Sequence, residues 1–379
     1  MAAPFRHAAK PNLAMLKILV FAHTPPPVHG QSMMVATLVE GLRSDSEIQI
    51  LHVNCRLSRD AADIGSWRIG KLFALLGACC QAWKLRLRHG PAFFYYVPGP
   101  GKRGALYRDF AVMLLCRPFF SGIVFHWHAI GLARWLDTQA LSIERWLARI
   151  LLGRVQLSIA LAPTLTVDAT RLGARRVAIV PNCVPEPAIS TEVKHSSLAR
   201  PCEVLFLGLC SREKGLFVAI DAIELANRSA PGAFRLTVAG DFADPQAHRQ
   251  FQDRIAGLPQ ESVRYVGFAD ERSKPALFRA ADIFCFPTCY AHEGQPLVLA
   301  EALAYDLPIV TTRWRAIPDM LPAKFIWLVE PKSPAALAVA LSEARASPRP
   351  NGMSRRHYLE RFTPRSHLAG MKAALLALK

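Results

Sequence analysis

Two glutamates, Glu293 and Glu301, sit in the segment His292-Glu293-Gly294-Gln295-Pro296-Leu297-Val298-Leu299-Ala300-Glu301-Ala302. The order is an acid, a glycine, a proline, and an apolar helical run with the second acid inside it. Proline at the first helical position costs no hydrogen bond, because first-turn N–H groups have no intrahelical partner. The remaining N–H groups, those of Leu297 and Val298 among them, point out of the helix N-terminus and favour an anion. Glu293 then stands at that end and Glu301 further along the helix. Such a layout suits a diphosphate with hydroxyl groups on both sides, the outline of a nucleotide sugar. By spacing alone, an acid that merely complements a helix dipole fits as well.

The flanking segments decide where this helix lies. Asp282-Ile283-Phe284-Cys285-Phe286-Pro287 precedes it and Leu307-Pro308-Ile309-Val310-Thr311-Thr312 follows it, both reading as short buried strands. Glu293 therefore falls just past the carboxyl end of a strand, where doubly wound sheets bind ligands. The stretch Val263–Leu321 resembles the carboxyl-terminal domain of the retaining glycosyltransferases of family GT4, whose signature is written EGFG-x4-EA. Glu293, Gly294, Glu301 and Ala302 match it, whereas Gln295 and Pro296 replace the commoner Phe-Gly. The resemblance implies a GT-B fold: an α/β architecture of two Rossmann-like domains, with parallel sheets facing across a cleft and a C-terminal helix crossing back to the first domain. It also implies that Glu301 accepts hydrogen bonds from ribose hydroxyls and Glu293 from the transferred sugar.

Other motifs fit the same resemblance. Val204–Gly208 is a strand ending in glycine, followed by Ser211-Arg212-Glu213-Lys214-Gly215. In the family a lysine here grips the donor diphosphate, and Lys214 matches it. The family's arginine directly after the first glycine is Leu209 here, which leaves open whether Arg212 takes its role. After the first strand, Gly30 matches the second glycine of a phosphate-approaching loop, with His29 in place of the first. The N–H groups of Gln31 and Ser32, which open the next helix, remain usable. His126-Trp127-His128 follows the strand Gly122–Phe125. The family has a functional histidine at this place; His128 is the preferred match and His126 the second. Gly99-Pro100-Gly101-Lys102-Arg103-Gly104 satisfies G-x-G-x-x-G, but the expected acid about twenty residues on is missing, so a dinucleotide site is set aside. Lys102 and Arg103 are read instead as contacts for an anionic acceptor such as a lipid diphosphate.

The chain has 379 residues, enough for two domains, and 51% are apolar. Its net charge of +17 is uneven: residues 1–190 hold 22 Lys/Arg against 10 Asp/Glu, residues 191–379 hold 24 against 19. A basic half suits nucleic acid, an anionic membrane or anionic substrates. No nucleic-acid module is recognisable, so no nucleic acid is expected. Three segments interleave basic and apolar residues: Arg68–Leu76, Trp83–Arg88 and Arg145–Arg154. That is the composition of interfacial helices, and it points to an anionic membrane surface. No run reaches the ~18 apolar residues of a spanning helix. Lys17 interrupts the early apolar stretch, which reads as a first strand rather than a signal peptide. The nine cysteines form no metal-ligand pairs and suggest reduced thiols, so neither a metal nor a cofactor is expected.

Strand-like runs alternate with helical ones, six in each half. The expected division is a first Rossmann-like acceptor domain over 1–185, a linker over 186–201, a nucleotide-sugar domain over 202–362 and a terminal helix over 363–379. The whole pattern reads as a cytoplasmic hexosyltransferase, peripheral on the inner face of the cell membrane, working without metal. The family resemblance implies a nucleotide-sugar donor, GDP-mannose first and UDP-sugars next, and an acceptor that is lipid-linked or a glycan of bacterial surface polysaccharide. A nucleotide-sugar epimerase on the same scaffold, or a non-enzymatic membrane- or nucleic-acid-binding protein, are the alternatives.

Overall fold

A computed structural model describes residues 15–26, 30–56, 69–188 and 200–379. The first sheet contains β1 (Leu16–Phe21), β2 (Ile48–Val53), β3 (Phe93–Tyr96), β4 (Gly122–Trp127), β5 (Leu157–Ala160) and β6 (Val177–Ile179), in the order β2-β1-β3-β4-β5-β6. The second contains β7 (Cys202–Leu207), β8 (Phe234–Ala239), β9 (Val263–Tyr265), β10 (Ile283–Phe286), β11 (Ile309–Thr312) and β12 (Ile326–Val329), in the order β12-β11-β10-β7-β8-β9. Every pairing is parallel. The twelve strands fall where the apolar runs place them, to within a residue or two at the ends.

Both sheets are covered on their two faces, which is why the central strands are apolar throughout rather than alternating. All six residues of β4 and all four of β10 are buried. In each sheet the strand order turns back on itself once. In the second sheet the turn falls between β7 and β10, whose carboxyl ends open a crevice. Lys214 follows β7 and Glu293 follows β10, so topology alone brings both to that crevice.

The terminal helix Pro364–Leu376 packs on the first domain. Its Met371, Ala374 and Leu375 share a core with Ile18 and Val20 of β1, and Lys372 Nζ pairs with Asp45 (2.7 Å) and Glu47 (2.8 Å). A Cβ on Gly41 would sit 2.4 Å from Leu368 Cδ1, a measure of how closely the two helices approach. Two of the three basic-apolar segments keep their apolar side chains outward. Leu72, Phe73 and Leu76 are exposed on the helix Ile69–His89, as are Ile143, Trp146 and Ile150 on the helix Ser142–Leu151. The middle segment is mixed: Trp83 turns inward, donating to the Leu115 carbonyl at 2.9 Å and packing on Phe119, while Leu87 is exposed. Arg68, like residues 189–199 of the expected linker, lies outside the described residues. Among the described residues no helix is long and apolar enough to cross a membrane.

Candidate active site

The acid–lysine pair is built by two close backbone approaches. Gly215 has φ +85°, and a Cβ there would lie 2.1 Å from the Pro287 carbonyl oxygen, so the turn after β7 rests against the segment after β10. The Cys289 N–H donates to the Glu213 carbonyl at 2.7 Å and fastens the same contact. Lys214 Nζ then donates to Glu293 Oε2 at 2.7 Å, and Thr288 Oγ1 donates to the same oxygen at 2.9 Å. The ammonium also lies 4.7 Å from the Tyr290 ring centroid and 5.8 Å from that of Phe286. Glu293 is buried, and a buried carboxylate is tolerable only when paired and hydrogen-bonded in this way.

Glu301 lies on the helix Leu297–Ala304. Proline does not open that helix: Pro296 precedes it, with ψ 117° outside the helical range, so Leu297 is the first helical residue. Glu301 Oε1 accepts from Lys274 Nζ at 3.0 Å, and the same ammonium reaches Glu271 Oε1 at 2.9 Å. Glu301 Oε2 is buried without a hydrogen-bond partner. Burial pushes the Glu301 carboxyl above its ordinary pKa, against the opposing pull of Lys274. An unmet buried oxygen on such a group is an acceptor waiting for a donor. Lys274 and Thr288 were not singled out from sequence. Lys274 left one signal: a cation in the first turn of a helix opposes the dipole and needs a partner elsewhere.

From the first domain, Gly30 opens the helix Gly30–Gly41, and a Cβ on it would lie 3.5 Å from Leu297 Cδ1. The N-termini of two helices thus meet across the cleft, with Gln31 half-buried beside them. His29 lies outside the described residues. The two histidines share a side, as residues two apart along a strand do, and their rings lie 4.2 Å apart although β4 itself stops at Trp127. His126 is buried and bonded at Nδ1 to the Tyr95 hydroxyl; its ring stacks 6.4 Å from that of His367. Burial, then the neighbouring His128 and His367, hold the His126 pKa well below the ordinary value, so it is neutral at pH 7.

The remaining predicted residues are spread more widely. Arg212 is exposed, lies over the Phe217 ring at 5.0 Å and donates to Gln250 Oε1 at 3.2 Å. Lys102 is exposed, whereas Arg103 pairs with Glu144 at 2.7 Å. The G-x-G-x-x-G turn is occupied by its own chain: the Gly99 N–H donates to Asp109 Oδ2 at 2.8 Å. Gly294 presses on the first domain, and the Gln295 amide is bound across the interface rather than open to the cleft.

Residues 201–346, which carry Lys214, Glu293 and Glu301, match the family model described as Glycosyl transferases group 1. This domain belongs to that family. The amylovoran biosynthesis glycosyltransferase AmsK of Erwinia amylovora is 31% identical over 151 residues, which is 38% of this chain and 36% of AmsK. The chain thus aligns with about a third of the length of that relative. The fold extends further than the sequence match. Sucrose-phosphate synthase from Thermosynechococcus elongatus superposes with a TM-score of 0.71 at 17% identity, covering 96% of this chain and 99% of that one. Anabaena HepE in complex with UDP-glucose does so at 0.68 and 16%, covering 95% and 99%. Around its group 1 glycosyl transferase domain the chain has the GT-B architecture.

Proposed function

We propose that the protein transfers a hexosyl residue from a nucleotide diphosphate sugar to a lipid-linked or saccharide acceptor in bacterial surface polysaccharide assembly. The observation that carries this is the Lys214–Glu293–Thr288 cluster at the strand switch point, with Glu301 and its unmet oxygen on the adjoining helix. The name of AmsK and the UDP-glucose in HepE favour the same reading. In it, the nucleotide ribose donates to Glu301. The diphosphate lies between Lys214 and the N–H groups near Gly30, Leu297 and Val298, with Gly294 giving its backbone room. The sugar hydroxyls donate to Glu293.

The bond from the anomeric carbon to the diphosphate breaks, and its electron pair leaves with the diphosphate. The acceptor hydroxyl oxygen bonds to that carbon and its proton is released. Lys214 stabilises the charge growing on the departing phosphate, a role that preorganised cations and helix N-termini fill without a divalent ion. His128 and His126 line the first-domain side and orient sugar or acceptor. Retention of anomeric configuration and a mannose donor follow from the family resemblance. Lys102 is the exposed cation offered to an anionic acceptor, and the exposed apolar side chains of the helix Ser142–Leu151 support association with an anionic membrane.

A panel of GDP-mannose, UDP-glucose and UDP-galactose tests the reading. A true donor raises the melting temperature, since it binds only the folded chain. It is also hydrolysed or transferred in the presence of EDTA. Wild-type protein that neither responds to nor turns over any nucleotide sugar refutes it.

A further inference from the structure

We propose that Gln295 is a positioning residue that makes the placement of Glu293 depend on closure of the two domains; this rests on the glycosyltransferase reading above. Gln295 belongs to the second domain and is buried. Both ends of its amide are nevertheless bound by backbone from outside that domain. Oε1 accepts the Asn182 N–H at 2.6 Å, and Nε2 donates to the Leu161 carbonyl at 3.4 Å. Leu161 directly follows β5, and Asn182 lies between β6 and the second domain. The neighbours of Glu293 are held in the same way. His292 Nδ1 donates to the Ile130 carbonyl at 3.2 Å, and a Cβ on Gly294 would lie 2.5 Å from the His128 carbonyl oxygen. In the run 292–295, every residue except the acid itself is fixed by the first half of the chain.

Glu293 is held differently, by Lys214 and Thr288 of its own domain. Its carboxylate therefore answers to the second domain while the backbone carrying it answers to the first. Opening the cleft strips Gln295 of both partners at once and leaves an amide that must be rehydrated; closing restores both bonds. An apolar side chain, such as the phenylalanine of the GT4 pattern, fills the space but makes neither bond. Gln295 thus ties the acid loop to the closed state through polar contacts that the common pattern lacks. The contact of Glu301 with the ribose lies within the second domain and does not need this tie.

The test compares the full-length wild type with Gln295→Met and Gln295→Glu. The donor is whichever of GDP-mannose or UDP-glucose the wild type uses, and the matching GDP or UDP is the binding probe. In Gln295→Met, kcat falls about ten- to a hundredfold, as for a slightly misplaced site. Donor KM and the Kd of the free nucleotide stay within about twofold, the signature of an interaction needed only for turnover. Small-angle scattering shows reduced compaction of the variant on nucleotide addition. Gln295→Glu keeps an acceptor for the Asn182 N–H but sets a carboxylate against the Leu161 carbonyl, and falls between wild type and Gln295→Met. It serves as the decisive variant if the methionine protein does not fold. Unchanged kcat, or a loss of nucleotide affinity as large as the loss of kcat, overturns the proposal. A wild type inactive on the whole panel overturns the glycosyltransferase reading instead.

Discussion

Lys214 Nζ lies 2.7 Å from Glu293 Oε2, and Thr288 donates to the same oxygen. The pair holds the ammonium beside the Glu293 carboxylate, so in the proposed reading a diphosphate competes for an ammonium with three donor positions. Replacing Lys214 by Ala removes the cation proposed to face the leaving group. Transfer is expected to fall by about 10²–10³-fold, the cost of losing one preorganised charge-stabilising donor. Glu293→Ala should lose comparable turnover while binding free nucleotide nearly as well as wild type. Stopped assays on the donor panel check both, and full transfer activity in either variant refutes the site. Lys214→Ala also leaves a buried carboxylate with only Thr288, which should destabilise the fold by about 1–3 kcal/mol in denaturant melts.

Glu301 carries the second prediction. Its pKa is raised, chiefly by burial, so the group protonates at a higher pH than an ordinary carboxylate. In the proposed reading the ribose hydroxyls donate to the ionised form. Nucleotide affinity should therefore fall as pH drops through that raised value, and folding stability should rise slightly over the same interval, because the folded state takes up the proton first. Glu301→Gln turns one acceptor into a donor and should weaken UDP or GDP by about 1–3 kcal/mol. It should also remove the difference in pH dependence from wild type that remains once the titration of the phosphate itself is subtracted. Calorimetric titrations across pH 4.5–7.5, a range about the ordinary carboxylate and imidazole values, measure both. Parallel wild-type and variant profiles would exclude Glu301 from the nucleotide site.

Much of this arrangement was legible in the sequence, for a physical reason. Parallel strands buried on both faces leave continuous apolar runs, so β4 and β10 announce themselves. Glycines at close approaches, such as Gly215 against Pro287, mark the loops that must touch. What sequence could not show is pairing across loops. Lys274 is 27 positions from Glu301, and nothing local links them. Gln295 reads as a departure from a pattern until its two partners, 113 and 134 positions away, come into view.

The buried histidines set an acid limit to stability. His126 and His367 both have lowered pKa values, first through burial, and His367 Nδ1 donates to the Pro181 carbonyl at 2.6 Å. Unfolded, they protonate near about pH 6.5. Below that value the unfolded chain binds protons that the folded chain refuses, so stability falls as pH drops toward the depressed folded values. His367→Gln keeps a donor for Pro181 but removes one titrating ring at the junction of the terminal helix and the first domain. Its melting temperature should fall less between pH 7 and pH 5 than that of the wild type. Equal falls would show that other groups govern the acid limit.

The exposed face of the helix Ser142–Leu151 makes the last prediction. Ile143, Trp146 and Ile150 are 55%, 55% and 50% exposed, while Glu144 and Ala148 on the opposite side are buried. Arg145 and Arg149 flank the apolar line one helical turn apart. Large apolar side chains held in water beside cations are what an anionic interface rewards, through buried area and headgroup attraction together. Wild-type protein should sediment with vesicles containing phosphatidylglycerol and remain in solution with purely zwitterionic ones. Trp146→Glu removes the aromatic anchor and adds a repelled charge, and should weaken vesicle binding by about tenfold or more. Because Trp146 is exposed on a first-domain helix and is not a buried core residue, hydrolysis of a soluble donor should continue at the wild-type rate. Undiminished sedimentation of Trp146→Glu would place any membrane contact on another face.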